Sequence, residues 1–123
     1  MDCNIHPKIK IHEIQTIEWG GIKMTQITQL EVNGTAAQGI MLCAPGGEGH
    51  PNMIIVQCKA GYLMCGYLNI DAAEKFGDAA VLVGGADFQA VLDNPIKGMT
   101  SAAEKAGVKE GMTGAEAAAV LNK

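Results

Sequence analysis

The first half of the chain alternates apolar and polar positions in the two-residue period of β-strands. KIKIHEIQTIEW, residues 8–19, follows this alternation with one slip, and ITQLEVNGT, residues 27–35, follows it as far as an Asn33–Gly34 pair. Asn-Gly readily adopts the positive φ values of a tight turn. We therefore predict a β-hairpin built from residues 27–33 and 36–43.

This hairpin carries polar side chains among its apolar ones: Thr25, Thr28, Gln29, Glu31 and Gln38. Such a mixture is typical of an antiparallel sheet that is packed on one side only. We expect one of its faces to lie on water or on another subunit.

Two further strands are predicted after the glycine-rich loop APGGEGHPN, residues 44–52. They are MIIVQCK, residues 53–59, and YLMCGYL, residues 62–68, and both are apolar at nearly every position. A strand that is apolar on both faces is buried on both faces. These strands should therefore be central in the sheet.

The second half has helix signals. Helix starts are predicted at Asp71, Asp87, Ser101 and Thr113. Three of them, all except Asp87, have a glutamate three residues later, which is the spacing of a capping box. A short buried strand, residues 79–83, lies between the first two helices. The fold class is therefore predicted to be α+β, an N-terminal antiparallel β-sheet region followed by a mixed sheet with short helices, in a single domain of residues 1–123.

Composition and charge narrow the possible partners. The formal net charge is −4, and all nine basic residues are lysines, so no arginine can make a bidentate contact to phosphate. A nucleic-acid partner is not expected, because duplex binding neutralises several phosphates at once. No apolar stretch is long enough for a membrane span, and the N-terminal residues have no signal-peptide pattern, so we expect a cytoplasmic protein without a membrane partner.

The most distinctive residues are KAGYLMCGYLNIDAAEKFGDAAVLV, residues 59–83, and AAEKAGVKEGMTGAEAAAVL, residues 102–121. Over roughly residues 53–121 the chain resembles the YunC-like family, a bacterial and archaeal domain of unknown function. The resemblance implies an α+β domain whose N-terminal β-sheet region mediates tetramer formation. It makes residues 1–52 the oligomerisation region and residues 53–123 the family core, and it implies no reaction.

Cys65 is the first candidate for a functional residue. Relatives share it, and Gly66 beside it leaves room for a ligand. Tyr62 and Asn69 are the nearest polar groups, and His50 ends the glycine-rich loop, so these five residues form the candidate ligand-binding set. The alternative is structural, because a thiol buried in an apolar strand is usually inert.

A disulfide or metal pair of Cys58 with Cys65 depends on the turn between their strands. A loop of Ala60–Gly61 would put both sulfurs on one face, whereas a three-residue loop from Lys59 to Gly61 would put them on opposite faces. We favour the three-residue loop, because glycine then takes the left-handed position, and we predict no pair.

No cofactor and no metal site are predicted from the remaining motifs. The glycines of residues 46–49 are followed by a strand and by no Gly-Lys-Ser/Thr, so they do not form a phosphate loop. His6 and His12 lack the spacing of zinc ligands. Gly84–Gly85 precedes a helix, but Asp87 is expected to cap that helix and to make the turn a neutral one.

Two functional hypotheses remain. The first is an assembly module, a homotetramer joined through its N-terminal sheets that scaffolds or binds a small molecule, because no set of nucleophile, base and orienting group is visible. The second is a small enzyme or ligand sensor that uses Cys65 in a pocket between subunits, with help from Tyr62, Asn69 or His50.

Overall fold

One mixed β-sheet runs through the chain in the computed structural model, which describes residues 7–123. The strands are β1 (Ile9–Ile11), β2 (Gln15–Trp19), β3 (Ile22–Val32), β4 (Thr35–Leu42), β5 (Met53–Gln57), β6 (Gly61–Met64), β7 (Ala79–Leu82) and β8 (Gly98–Met99). The helices are α1 (Ile70–Phe76), α2 (Phe88–Asp93), α3 (Ser101–Ala106) and α4 (Gly114–Leu121). The predicted α+β class is confirmed.

The strand order is β1-β3-β4-β5-β6-β7-β8, and β2 also pairs with β3. All pairs are antiparallel except β6 with β7, which are parallel and are joined through α1. β5 and β6 are therefore central, as their continuous apolar sequences predicted. β4 pairs with β3 only from Thr25 onward, so the turn end of the β2–β3 hairpin, residues 18–24, extends past β4 as a two-stranded segment. Residues 15–24 are called the arm.

The helices lie on both faces of the sheet. α1 covers one face, where Met64, Ala73 and Ala80 form a small cluster. The other helices contribute to the main core on the opposite face, where Leu63 and Val81 are fully buried. Successive residues of a strand point to opposite faces, so β6 and β7 each contribute to both clusters.

The Asn33–Gly34 turn is confirmed: both residues have positive φ, 53° and 83°, and they join β3 to β4. The bounds of both strands differ from the predicted residues 27–33 and 36–43. β3 begins five residues earlier, at Ile22 rather than at residue 27. Thr28 does not lie on a wet face. Its side chain is 2% exposed, and its hydroxyl donates to the carbonyl oxygen of His12 at 2.9 Å.

Two helix starts differ from the prediction. Asn69, not Asp71, caps α1, because its side chain accepts hydrogen bonds from two N–H groups of the first turn. Thr100, not Ser101, caps α3. Glu74 does not close a capping box; its carboxylate accepts from both the N–H and the hydroxyl of Ser101 at 2.8 Å. Adjacent polar residues at a helix start compete for the same donors, so the spacing alone did not identify the cap.

The other two helix starts are confirmed. Asp87 caps α2 by accepting from the N–H of Ala90 at 2.8 Å. Thr113 and Glu116 form the predicted reciprocal capping box of α4.

The predicted three-residue loop between β5 and β6 is wrong. Gln57 pairs with Tyr62, and the N–H of Cys58 donates to the carbonyl oxygen of Gly61 at 2.7 Å, so the loop contains only Lys59 and Ala60. Neither loop residue has positive φ. The C-terminal end of the chain holds this loop, since Asn122 accepts from the N–H of Lys59 at 2.8 Å.

This register also changes the argument about the cysteine pair. Cys58 lies at the turn end of the hairpin, whereas Cys65 follows the opposite end of β6. The alternation puts them on the same face, contrary to the prediction, but four residues of extended strand separate their levels by roughly 13 Å. Both thiols are free, and their separation along the sheet prevents a disulfide.

Candidate functional site

An open crevice of about 390 Å³ lies at the carboxyl ends of β6 and β7. Residues 65–67, residues 84–85 and residues 51–52 line it. After β6 the chain enters α1 on one face of the sheet, and after β7 it enters α2 on the other. Ligands of open α/β sheets bind in the crevice outside the carboxyl ends of parallel strands, which is where this crevice lies.

Asn52 connects the loop before β5 to the turn after β7. Its amide oxygen accepts from the N–H of Ala44 at 2.9 Å, and its amide nitrogen donates to the carbonyl oxygen of Ala86 at 2.8 Å. These two bonds hold one wall of the crevice against another. The sequence analysis missed Asn52, because its partners are distant in the chain.

Cys65 and Gly66 lie in this crevice, on the turn that follows β6. The carbonyl oxygen of Cys65 accepts from the N–H of Leu68 at 3.1 Å, which closes the turn. Cys65 is 6% exposed. A Cβ atom on Gly66 would meet nothing within 4 Å, so the space beside it is open. Tyr67, which is 44% exposed, supplies an aromatic ring at the rim.

The structure does not bring the other candidate residues into the lining. Tyr62 lies near the opposite end of β6, where its hydroxyl donates to the Asp78 carboxylate at 2.7 Å. That hydrogen bond, with a smaller contribution from burial, raises the pKa of Tyr62 to about 12. Asn69 uses its side-chain oxygen to cap α1. His50 is exposed and packs against Gly46 within its own loop.

Lys97 is a charged residue beside the crevice that sequence analysis did not identify. Its ammonium nitrogen is 3.0 Å from the position that a Cβ atom on Gly84 would occupy. No acidic side chain among residues 7–123 forms an ion pair with it. Lys97 lines a larger depression of about 710 Å³, together with residues 96, 98–99, 104 and 108–111, and reaches the crevice only through its neighbour Gly84. That depression is not at the carboxyl ends of parallel strands.

Cys58 and Cys65 have different surroundings, although both are buried. Burial raises the pKa of the Cys58 thiol to about 11. Cys58 lines an open depression of about 530 Å³ beside the loop that the chain's C-terminal end holds, and Cys65 lines the crevice, so the two thiols do not differ in access. Nucleophilic chemistry requires the thiolate, so Cys58 is unsuited to it near neutral pH.

Within residues 7–123 no group of three His, Cys, Asp or Glu side chains is arranged to hold a metal ion. His12 contacts the Glu31 carboxylate. His6, the other histidine for which no metal site was predicted, lies outside the described residues. None of the described helices has the length and hydropathy needed to cross a membrane.

The chain is similar to known proteins whose descriptions name no activity. The family model for a domain of unknown function, DUF1805, matches residues 64–121. The uncharacterized protein YunC of Bacillus subtilis (strain 168) is 30% identical over 99 residues, which are 76% of this chain and 94% of the relative. The chain belongs to the YunC-like family.

A solved structure is also similar to this YunC-like protein. It is the crystal structure of a protein of unknown function, TA1206 from Thermoplasma acidophilum, with a TM-score of 0.72 and 28% sequence identity. The likeness covers 80% of this chain and 94% of that one. The resemblance inferred from the motifs around residues 59–83 is thereby confirmed. Neither relative's description names an activity, so the function of the YunC-like chain has to be argued from its own surface.

Proposed function

We propose that this YunC-like protein is a homotetrameric assembly module joined through the uncovered face of its N-terminal strands. The strand register identifies the side chains of that face, because directly paired residues point the same way. Ile27 pairs with Ile40, which pairs with Ile55. Thr25 pairs with Leu42, which pairs with Met53.

The same face continues onto the arm. Ile17 pairs with Thr25, and a register shift after Ile17 interrupts the alternation of β3. The face therefore continues along β2: Trp19, two residues after Ile17, points the same way and pairs with Ile22. The open face is defined here by its apolar members: Ile17, Trp19, Ile22, Ile27, Ile40, Leu42, Met53 and Ile55. α1 covers the same side of the sheet only farther along, at Met64 and Ala80.

The exposure of the arm is the observation that carries the proposal. Trp19 is 79% exposed, Ile22 is 67% exposed and Ile17 is 56% exposed. Single exposed apolar side chains are common on protein surfaces, but a contiguous apolar patch marks an interaction site. A sheet face that met water would carry polar side chains at these alternating positions. A second copy of the chain presents the same apolar face, so self-association covers both.

Native mass spectrometry of the untagged protein tests the proposal by counting chains. We expect four chains, and we expect Trp19→Lys to shift the distribution towards smaller species, because a charge would be buried in the interface. Phe76→Lys is the matched control: Phe76 is 81% exposed but lies on α1, away from the open face. A monomeric wild-type protein at micromolar concentration would contradict the proposal.

Small-molecule binding in the crevice is a second candidate function. The observation that favours it is the position of the crevice at the carboxyl ends of the parallel strands β6 and β7. Its volume of about 390 Å³ falls in the usual range for ligand sites. In this hypothesis Cys65 forms part of the wall of a sensor or enzyme site.

The variant Gly66→Leu tests the second function. The added side chain would enter the open space beside Gly66, whose φ is not in the positive range, so the fold should tolerate it. A co-purifying small molecule, seen as extra mass on the wild-type protein, should then be lost while the chain count stays the same. Extra mass that persists in this variant would place the ligand elsewhere.

A further inference from the structure

We propose that the crevice binds a small organic carboxylate, held by the Lys97 ammonium and by backbone N–H groups of the turn after β7. This inference rests on the second proposed function, ligand binding in the crevice, and names the chemical class of the ligand. Three features carry it: an unpaired cation next to the lining residue Gly84, unpaired donors in the turn, and an uncharged, partly aromatic lining.

The cation is Lys97. Its position next to Gly84 is possible because glycine has no side chain, since a Cβ atom there would lie only 3.0 Å from the ammonium nitrogen. The backbone fixes the start of this side chain, because the N–H of Lys97 donates to the carbonyl oxygen of Leu82 at 2.7 Å. An ammonium group without an acidic partner at the rim of a cavity attracts an anion.

The donors belong to the turn between β7 and α2. Within residues 7–123 the backbone N–H groups of Gly84, Gly85 and Ala86 donate to no acceptor of the protein. The carbonyl groups of this turn are occupied instead: Asn94 donates to the oxygen of Gly84 and Asn52 to that of Ala86, both at 2.8 Å. The turn therefore has N–H groups to offer and fewer free oxygens that would repel an anion.

The sequence analysis expected Asp87 to make this turn a neutral one. In the structure its carboxylate accepts from the N–H of Ala90, inside the first turn of α2, and leaves the three N–H groups before it unoccupied. None of the lining residues is acidic. One nearby carboxylate opposes a dianion such as phosphate more strongly than a monoanion, so the balance of charge favours a monocarboxylate.

The rest of the lining suits an apolar molecular body. Tyr67, Pro51 and Cys65 are among the lining residues, and the Tyr67 hydroxyl donates to the Pro51 carbonyl oxygen at 3.4 Å. Aromatic and thiol groups make favourable contacts with flat apolar groups. A ring that carries one carboxylate combines both requirements within about 390 Å³.

Benzoate and benzyl alcohol are matched probes, because they share the ring and differ in charge. Both are titrated into the assembled protein while the amide resonances of Gly66, Gly84 and Gly85 are followed by NMR. We expect benzoate to shift these resonances at lower concentration than benzyl alcohol. Lys97→Gln should weaken benzoate binding by about threefold to fivefold, as expected for one partly exposed charge contact. Lys97→Arg should preserve it, and Lys105→Gln, a lysine on α3, is the control.

The possible failures are distinguishable. If benzyl alcohol binds as well as benzoate, or if Lys97→Gln changes nothing while the crevice resonances still shift, the crevice binds ligands but the carboxylate class is wrong. If benzoate shifts only residues 104–111, the larger depression that Lys97 lines is the site and this inference is overturned. If neither probe shifts any of these resonances, both the ligand class and ligand binding in the crevice lose their support.

Discussion

Gly114 gives a sharp test of the packing that holds the turn after β7 in place. It is the first residue of α4 and lies against the end of α2, where a Cβ atom would be 2.0 Å from the carbonyl oxygen of Val91 and 3.2 Å from the Cα of Leu92. α2 follows the crevice turn directly. We predict that Gly114→Ala destabilises the protein, although alanine is the better helix former.

The magnitude follows from the geometry. Ordinary contacts of a Cβ atom are 3.4–4 Å, so the two helices would have to separate by more than 1 Å. Overpacking of a tight core costs about 1–3 kcal/mol, and backbone on both sides of this contact places the change at the upper end. The helix preference for alanine offsets up to about 1 kcal/mol. The free energy of unfolding should therefore fall by about 2 kcal/mol.

Urea unfolding measures this difference. With a urea m-value of about 1–3 kcal/mol/M, the midpoint should fall by roughly 0.7–2 M. Gly66→Ala is the control, since its Cβ atom would enter open space. Its free energy of unfolding should differ from that of the wild-type protein by less than about 0.5 kcal/mol. Every comparison should use one protomer concentration, because association contributes to stability. Equal midpoints for the two variants would refute the close α2–α4 contact.

Two further predictions concern the thiols and one carboxylate. Timed alkylation with iodoacetamide at pH 8, followed by peptide mapping, should modify Cys65 before Cys58, because burial raises the pKa of Cys58 to about 11 and leaves little of the reactive thiolate at this pH; equal rates would contradict this. Hydrogen bonds from Ser101 lower the pKa of Glu74 below its ordinary value of 4.5. The stability that Glu74 adds over Glu74→Gln should be present above pH 4.5 and lost as the pH falls through the lowered pKa, and urea midpoints at pH 7 and pH 3 would show whether it is.

Features determined by neighbouring residues were predictable from the sequence. The Asn33–Gly34 turn depends on two adjacent residues that tolerate positive φ, and the Thr113–Glu116 capping box on a spacing of three. The prediction of a capping box failed where a residue distant in the chain bonds the side chain that the spacing rule assigns to the cap. Glu74 has capping-box spacing, but Ser101, 27 residues away, takes its carboxylate.

The candidate site was only partly predictable for a similar reason. Cys65 and Gly66 stood out because they are adjacent in an otherwise apolar segment. Tyr62 does not line the crevice with them, because it lies near the start of β6 whereas Cys65 follows its end. Lys97 is one of nine lysines, and only the pairing of β8 with β7 brings it beside Gly84. A crevice at the carboxyl ends of two paired parallel strands is a property of topology and has no signature in a short segment.

The open face and the crevice are neighbours, which relates the two proposed functions. Asn52, in the crevice wall, directly precedes Met53, and Met53 pairs with Leu42 on the open face. A second chain seated on that face would therefore lie beside the crevice rim. The crevice is open in a single chain, so a partner at its rim would add to the surface that a ligand contacts.

In such an assembly, loss of the interface at Trp19 would weaken ligand binding without changing any residue of the crevice, whereas Gly66→Leu would block the crevice and leave the interface intact. If the Trp19 variant binds ligand as well as the wild-type protein, one chain forms the whole site. If its binding is weaker, the neighbouring chain contributes to the site.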